Sequence, residues 1–222
     1  MKHQRFVSIL AAASALLTLG CRDKPKGEAL VIDFPPEAFE GTPKVPVLPN
    51  LVPLPETAPQ AVVPPGTVLL SKGKKVTSSD KDPIIGSLDL VTDGDKQAGA
   101  GFFVELLEGP QWIQIDLEKS AAIHAIGVWH YHLERYRAYR AVIIQISDDP
   151  QFKTGVATAY NNDYDDSIKL GKGADYPYVE SRFGLIVDGK ANKGRYVRLY
   201  SNGNTSNEMN HYIEVEVYGI PL

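Results

Sequence analysis

Alternation of apolar and polar residues is the clearest pattern along this chain from about residue 69 onwards. In the segment Gln111–Leu117, Ile113, Ile115 and Leu117 would lie on one face of a strand, opposite Trp112, Gln114 and Asp116. Near the end of the chain, Val215 and Val217 alternate in the same way with Glu214, Glu216 and Tyr218. A repeat of two residues predicts half-buried strands in both places.

Short strands of this kind recur, and clusters of Gly, Asn and Asp separate them. No repeat of 3.6 residues persists over several turns, so the pattern disfavours long helices. Many short strands joined by polar turns are typical of an all-β sandwich. The predicted strands are Gln111–Leu117, Ile123–Trp129, Ala141–Ser147, Arg195–Tyr200 and Tyr212–Tyr218.

The segment before these strands has a different composition. Residues 22–65 contain 11 of the 16 prolines, interleaved with apolar and small residues. Proline fixes φ and removes a backbone donor, which predicts a disordered, extended spacer at about 3.1 Å per residue, with a reach on the order of 100 Å. The alternative is an ordered arm that packs on the domain through Val, Leu and Phe34.

The N-terminus has the layout of a secretion signal. Lys2, His3 and Arg5 precede an apolar run, Phe6–Leu19, which is shorter than the roughly 20 residues of a membrane-spanning helix. The run ends at Thr18-Leu19-Gly20-Cys21, which resembles a bacterial lipobox and implies lipidation of Cys21 after cleavage. The alternative is an ordinary signal peptide with an incidental cysteine.

These segments predict three regions: a lipoprotein signal peptide at 1–20, a Pro-rich tether at 21–66 and a β-sandwich domain at 67–222. A lipid on Cys21 would anchor the protein to a membrane of the cell envelope, with the domain facing the periplasm or the cell surface. Cys21 is the only cysteine, so no intrachain disulfide can form.

Charge excludes one class of partner. The formal net charge is −4, and both signs are mixed along the chain. Nucleic-acid-binding proteins usually carry a clear basic excess, so a nucleic-acid partner is not expected.

Four pieces, in this order, resemble a discoidin-type domain of the coagulation factor five/eight type C family. They are Thr92-Asp93-Gly94-Asp95, Trp112-Ile113-Gln114-Ile115-Asp116-Leu117, Lys193-Gly194-Arg195-Tyr196-Val197-Arg198-Leu199-Tyr200 and the closing Ile213-Glu214-Val215-Glu216-Val217-Tyr218-Gly219. The resemblance implies a galactose-binding-like jelly-roll β-sandwich that binds a ligand and is not an enzyme. The cysteine pair of animal discoidin domains is missing, which favours the bacterial carbohydrate-binding branch.

The same resemblance implies a structural Ca²⁺. Its ligands would be Asp93, Asp95 and Glu214, completed by main-chain carbonyls near Leu90 and at Ile213. Calcium prefers six to eight oxygen ligands, which carboxylates and free carbonyls supply. The alternative is a plain Asp-Gly turn and an exposed glutamate on a strand.

The segment Trp129–Arg140 combines aromatic, histidine and arginine side chains between two predicted strands. Aromatic faces suit the C–H side of a sugar ring, and polar groups suit its hydroxyls. The predicted carbohydrate-binding residues are Trp129, His130, His132, Arg135 and Tyr136, with Asn202 and Asn204 from a later polar loop. The alternative is that Trp129 and the tyrosines belong to the core and the arginines pair with local acids.

Other polar segments have simpler interpretations. The segment Tyr160–Ser167 lacks the plan of an EF-hand and is interpreted as a turn capped by Asn and Asp side chains. Serine-hydrolase, zinc-protease and P-loop motifs are absent from the sequence. We therefore predict a non-catalytic carbohydrate-binding lipoprotein; the alternatives are an adhesion or scaffold protein whose loops bind another protein and, third, a glycoside hydrolase.

Overall fold

The computed structural model describes residues 27–37, 44–133 and 136–222. These residues form eleven strands and one short 3₁₀ helix, Leu88–Thr92. The strands are β1 (Glu28–Ala29), β2 (Val62–Val63), β3 (Val68–Leu69), β4 (Val76–Ser78), β5 (Val104–Leu106), β6 (Gln111–Trp129), β7 (Ile143–Ser147), β8 (Ala157–Asn161), β9 (Leu185–Ser201), β10 (Asn210–Tyr212) and β11 (Glu214–Pro221). The fold is the expected all-β sandwich built from antiparallel strands.

Two long strands, β6 and β9, pair with each other, and the two ends of β6 have different second neighbours. Residues Gln111–Asp116 of β6 lie between β4 and the second half of β9, whereas Ala121–Trp129 lie between β11 and the first half of β9. The sequence predicts Gln111–Leu117 and Ile123–Trp129 as separate strands. They are one strand with an irregularity, where Glu118 adopts a positive φ of 68°.

The core follows the predicted alternation. Ile113, Ile115 and Leu117 are buried, as are Val215 and Val217. Glu214 and Glu216, on the opposite face of β11, are also buried instead of exposed. Their burial identifies that face of β11 as a covered surface with its own chemistry.

The described parts of the Pro-rich segment pack on the sandwich, as in the ordered-arm alternative. Strand β1 pairs with β2, and Val63 is buried against Ala125 and Tyr218. Further along, the Val52 N–H donates to the Pro177 carbonyl over 2.8 Å. We call residues 27–37 and 44–63 the arm. The proline-rich arm has few backbone N–H groups. Those in these pairings bond to other segments, although the composition of the arm is typical of a spacer.

Candidate functional site

The aromatic segment that follows β6 lies mostly inside the molecule. Trp129 is fully buried, its indole N–H donates to the Arg182 carbonyl over 3.0 Å, and Phe34 of the arm packs on it with ring centroids 6.2 Å apart. Lys96 Nζ lies 5.1 Å from the ring centroid. The prediction that Trp129 contacts a ligand therefore requires correction, because the arm and Lys96 already cover its ring.

His130 is fully buried as well. Its Nδ1 lies 3.1 Å from Glu180 Oε2 and 2.9 Å from the Tyr178 hydroxyl, and its ring stacks on Tyr139 at 4.1 Å. Burial lowers the pKa of His130 to about 3, so this imidazole is neutral. The prediction that His130 contacts a sugar therefore also requires correction, because its ring is buried against Tyr139 and its Nδ1 already has partners.

Glu180 is the acidic partner in this buried cluster. Burial raises the pKa of Glu180 to about 8, although hydrogen bonds and nearby His132 act in the opposite direction. Among the described residues, Glu180 Oε1 and His130 Nε2 have no hydrogen-bond partner. The cluster therefore holds unsatisfied polar groups in the interior of the molecule.

The remaining candidates on this segment border a small cavity. His132 is buried, with Nε2 3.3 Å from the Lys96 carbonyl, and burial lowers its pKa. His132 and Tyr136 line a cavity of about 190 Å³ together with Glu37 and Glu56 of the arm. Arg135 lies outside the described residues.

The two predicted asparagines differ in role. Asn204 is buried, and its amide group bonds the Asn207 side chain, the Met209 carbonyl and the N–H groups of Ser206 and Asn207. Those bonds hold a turn and leave no free group for a sugar, which corrects the prediction for Asn204. Asn202 is only half-buried and borders a larger groove.

This groove, of about 500 Å³, carries exposed aromatic rings. Tyr164 is 76% exposed and Tyr176 is 62% exposed, and both line it. We call it the tyrosine groove; its other polar lining includes Arg140, Asn202, Asp163, Asp165 and Asp175, and Leu48, Pro49 and Asn50 come from the arm. Interpreting Tyr160–Ser167 as a turn misses Tyr164, and Tyr176 lies beyond that segment; the recurrence of tyrosine in this polar region is the sequence signal that points to both.

The loop that carries Tyr164 is held by side-chain caps. Asp163 Oδ1 accepts hydrogen bonds from the N–H and hydroxyl of Ser167, and Oδ2 accepts one from the Ile168 N–H. Burial acts to raise the pKa of Asp163, but these bonds more than offset it, so the pKa lies below its ordinary value. Asp175 Oδ2 accepts from the Asn161 N–H over 2.6 Å. The tyrosines thus project from a well-bonded loop.

The predicted metal ligands meet around Glu214. Glu214 Oε2 accepts a hydrogen bond from the Gly94 N–H over 3.0 Å, whereas Oε1 has no partner among the described residues. Burial, with smaller contributions from neighbouring Glu216 and Asp93, raises the pKa of Glu214 to about 9. A buried carboxylate with an unpaired oxygen fits a hard cation at this position.

The rest of the predicted set is less complete. Asp93 Oδ1 accepts from the Asp95 N–H over 2.7 Å, and Asp95 Oδ1 accepts from the Gln97 N–H over 2.9 Å. Within residues 27–37, 44–133 and 136–222, no three His, Cys, Asp or Glu side chains are grouped to hold a metal. Main-chain carbonyls, those of Leu90 and Ile213 in the predicted set, would have to complete the coordination.

Comparisons with known proteins address the fold. Residues 90–180 match a family model of the F5/8 type C group, described as a NedA-like, galactose-binding domain. A search of curated proteins gives no match.

Solved structures resemble this chain at low identity. A family 89 glycoside hydrolase from Clostridium perfringens, in complex with its substrate GlcNAc-α-1,4-galactose, is 18% identical with a TM-score of 0.51, over 69% of this chain and 15% of that one. A second structure of that hydrolase, with 2-acetamido-1,2-dideoxynojirmycin, is 19% identical with a TM-score of 0.50, over 69% of this chain and 15% of the other. A chitosan-binding module from a Paenibacillus chitosanase/glucanase is 22% identical with a TM-score of 0.49, over 68% of this chain and 99% of that one.

The hydrolase likeness concerns the fold alone, because this chain spans only 15% of that protein. Residues 90–180 of this chain are therefore similar to the F5/8 type C, galactose-binding domain, and the chain shares its β-sandwich fold with the matched part of the hydrolase.

Proposed function

We propose that this domain binds carbohydrate, without transforming it, in the tyrosine groove. The observation that carries the proposal is the pair of exposed rings, Tyr164 and Tyr176, on a groove that also presents carboxylates and an arginine. Its volume of about 500 Å³ falls within the range of about 300–1,000 Å³ typical of small-molecule sites.

Each group in the groove has a role that suits a sugar. The tyrosine rings offer apolar faces to the C–H side of a pyranose, and their hydroxyls can exchange hydrogen bonds with it. Asp165 is exposed and can accept hydrogen bonds from hydroxyl groups. Because side-chain caps already hold the loop, little conformational entropy would be lost on binding.

Glycoside hydrolysis needs one carboxyl group that stays protonated near neutral pH. Asp163 has a lowered pKa and its oxygens are bonded to backbone N–H groups. The carboxyl groups with strongly raised pKa values, Glu180 and Glu214, are fully buried and do not line the groove. These features support a binding role over a catalytic one.

A structural Ca²⁺ is the second part of the proposal. Glu214 and the Asp93–Asp95 loop would hold the ion together with the carbonyls of Leu90 and Ile213. Its charge would compensate the buried Glu214 carboxylate, whose Oε1 has no partner within the described segments. The ion would stabilise the fold at the start of β11 rather than contact the sugar.

Membrane attachment through Cys21 is the third part. Cys21 and the signal peptide lie outside the described residues, and the support for this part is the sequence pattern alone. In the part of the chain that the structure describes, no helix is long and apolar enough to cross a membrane.

The carbohydrate proposal predicts a defined loss on substitution. Glycans that bind the full chain on an array should bind Tyr164→Ala and Tyr176→Ala at least about tenfold more weakly by calorimetry, because central aromatic contacts often contribute 1–2 kcal/mol or more. Tyr196→Ala, at a half-buried tyrosine outside the groove, is the matched control and should keep the affinity.

Two results would count against carbohydrate binding in the groove. One is the absence of any glycan that binds the wild-type chain with calcium present. The other is a glycan whose affinity is the same for wild type, Tyr164→Ala and Tyr176→Ala.

A further inference from the structure

The arm and the sandwich jointly enclose the tyrosine groove. Leu48, Pro49 and Asn50 of the arm line the same cavity as Tyr164 and Tyr176. The arm therefore contributes a wall of the groove in addition to connecting the domain to the N-terminus.

A turn and a short pairing fix this part of the arm. Pro49 and Asn50 form a turn in which Asn50 has a left-handed φ of 56°. Asparagine tolerates that conformation better than most residues. Two residues later, Val52 forms a parallel bridge to Tyr178, and its N–H donates to the Pro177 carbonyl over 2.8 Å.

The attachment point lies at the rim of the groove. Pro177, which accepts the Val52 N–H, directly follows Tyr176, and both residues line the groove. The bond therefore ties the Leu48–Asn50 turn to the same segment that carries one of the sugar-stacking rings. Proline at 46, 49 and 53 limits the backbone conformations of this stretch and lowers the entropic cost of holding it there.

We propose that Leu48, Pro49 and Asn50 are specificity-determining residues of the carbohydrate site, an inference that rests on the proposed function. Leu48 and Pro49 supply apolar contact to a ring face. The Asn50 amide supplies both a donor and an acceptor for hydroxyl groups. The arm also bounds the groove on its side, so the site selects short oligosaccharides that fit between the arm and the tyrosine loop.

One pair of proline substitutions tests whether the arm must be attached. Val52→Pro removes the N–H that bonds Pro177, whereas Val47→Pro makes the same change at a residue that is 98% exposed. For a glycan that binds wild type, we expect calorimetry on the full chain to show at least tenfold weaker binding for Val52→Pro and unchanged binding for Val47→Pro. Limited proteolysis around residues 44–60 reports whether the arm has detached.

A double variant, Leu48→Ala with Asn50→Gly, tests the side chains while leaving the Val52 bond in place, because glycine adopts the left-handed φ of residue 50 without strain. We expect weaker binding and a changed order of preference among the glycans on the array, with an unchanged melting temperature. The inference is overturned if a detached Val52→Pro arm leaves affinity intact. It is equally overturned if the double variant binds every glycan as wild type does, whether or not Val52→Pro detaches the arm.

Failure of this inference can be distinguished from failure of the proposed function. If the tyrosine variants lose binding and the arm variants do not, only the role of the arm is wrong. If no glycan binds wild type, or the tyrosine variants bind normally, the carbohydrate proposal itself is wrong.

Discussion

Glu180 shows how one buried side chain can couple stability to pH. Its pKa is raised to about 8, so the folded chain retains a proton that the unfolded chain releases near the ordinary value of 4.5. Stability associated with Glu180 is complete below that value and is lost as pH rises towards 8. His130 and His211, with pKa values lowered to about 3, act in the opposite sense, but only below about pH 6.5.

Glu180→Gln should therefore gain stability relative to wild type as pH rises. Folded His130 and His211 are neutral in both chains, and their titration in the unfolded state is common to both, so between pH 6.5 and 8 the difference in unfolding free energy should grow by about 1 kcal/mol per pH unit. Chemical denaturation, with EDTA present to remove metal ions, measures this difference in unfolding free energy. The groups that surround the carboxyl are Tyr178, His130, His132 and Tyr139, and the Glu180 N–H donates to the Arg137 carbonyl.

Glu118→Gln changes a carboxyl group that is 65% exposed and pairs with Lys74, and it serves as the control. Its stability should follow that of wild type across this pH range. A constant difference between Glu180→Gln and wild type from pH 6.5 to 8 would show that Glu180 is already ionised in the fold.

Charge in the tyrosine groove should select among sugars. The groove has the carboxylates of Asp163, Asp165 and Asp175, while Arg140 already pairs with Glu208 over 2.8 Å. Amino sugars should therefore bind better than the matching uronic acids. Asp165→Asn should reduce that preference by at most about fivefold, because exposed charge pairs contribute roughly 0.2–1 kcal/mol.

Competition binding at low and high salt measures this preference, which salt should weaken. Asp148→Asn, at an exposed acid outside the groove, is the control and should leave the preference unchanged. Equal binding of amino sugars and uronic acids at low salt would contradict the electrostatic argument.

Individual elements show where the sequence is sufficient and where it is not. Alternation predicts the buried faces of β6 and β11, because a two-residue repeat follows directly from strand geometry. It does not predict that β6 continues through Glu118-Lys119-Ser120, since a polar break resembles a turn when strand partners are unknown. The resemblance implies that the Asp93–Asp95 loop lies near Glu214. In the structure the Gly94 N–H donates a hydrogen bond to Glu214 Oε2.

Contacts between distant segments account for most of the corrected site residues. Trp129 and His130 are residue types that suit a sugar site. However, Phe34 of the arm packs on Trp129, and Glu180 lies beside His130. No local pattern encodes such contacts. Tyr164 is missed for the opposite reason, because a loop rich in Asn and Asp resembles an ordinary capped turn.

Calcium should stabilise the start of β11. Adding Ca²⁺ to the EDTA-treated chain should raise the melting temperature of wild type, because a ligand that binds only the folded state adds RT ln(1 + [L]/Kd) to its stability. Glu214→Gln should lose this response and, without metal, should be about as stable as wild type. Differential scanning calorimetry with and without Ca²⁺ checks both.

Asp93→Asn tests the loop side of the same site and should weaken the calcium response. Glu208→Gln, on the surface, should retain it in full. If wild type melts at the same temperature in EDTA and in millimolar Ca²⁺, the proposed ion is absent.

For the molecule as a whole, the proposed attachment to a membrane depends on one residue, Cys21. Cys21→Ser should release the protein into the soluble fraction after cell lysis, because a hydroxyl cannot take the thioether-linked lipid. Thr18→Ser retains the cysteine and should stay with membranes. Membrane association of Cys21→Ser at high salt, where ionic adsorption is screened, would reject the lipid anchor.

The packing of the arm also limits how far an anchored domain can reach. Because β1 pairs with β2, whose Val63 packs on the sandwich, the arm is held from β1 onwards, and the covalent chain between Cys21 and Gly27 spans at most about 20 Å, at roughly 3.5 Å per residue. A spacer extended along its whole length would sweep a region several times deeper. An acylated molecule would thus reach only glycans within a thin layer above its own bilayer. Detaching the arm from the sandwich would enlarge that layer and would also remove one wall of the tyrosine groove.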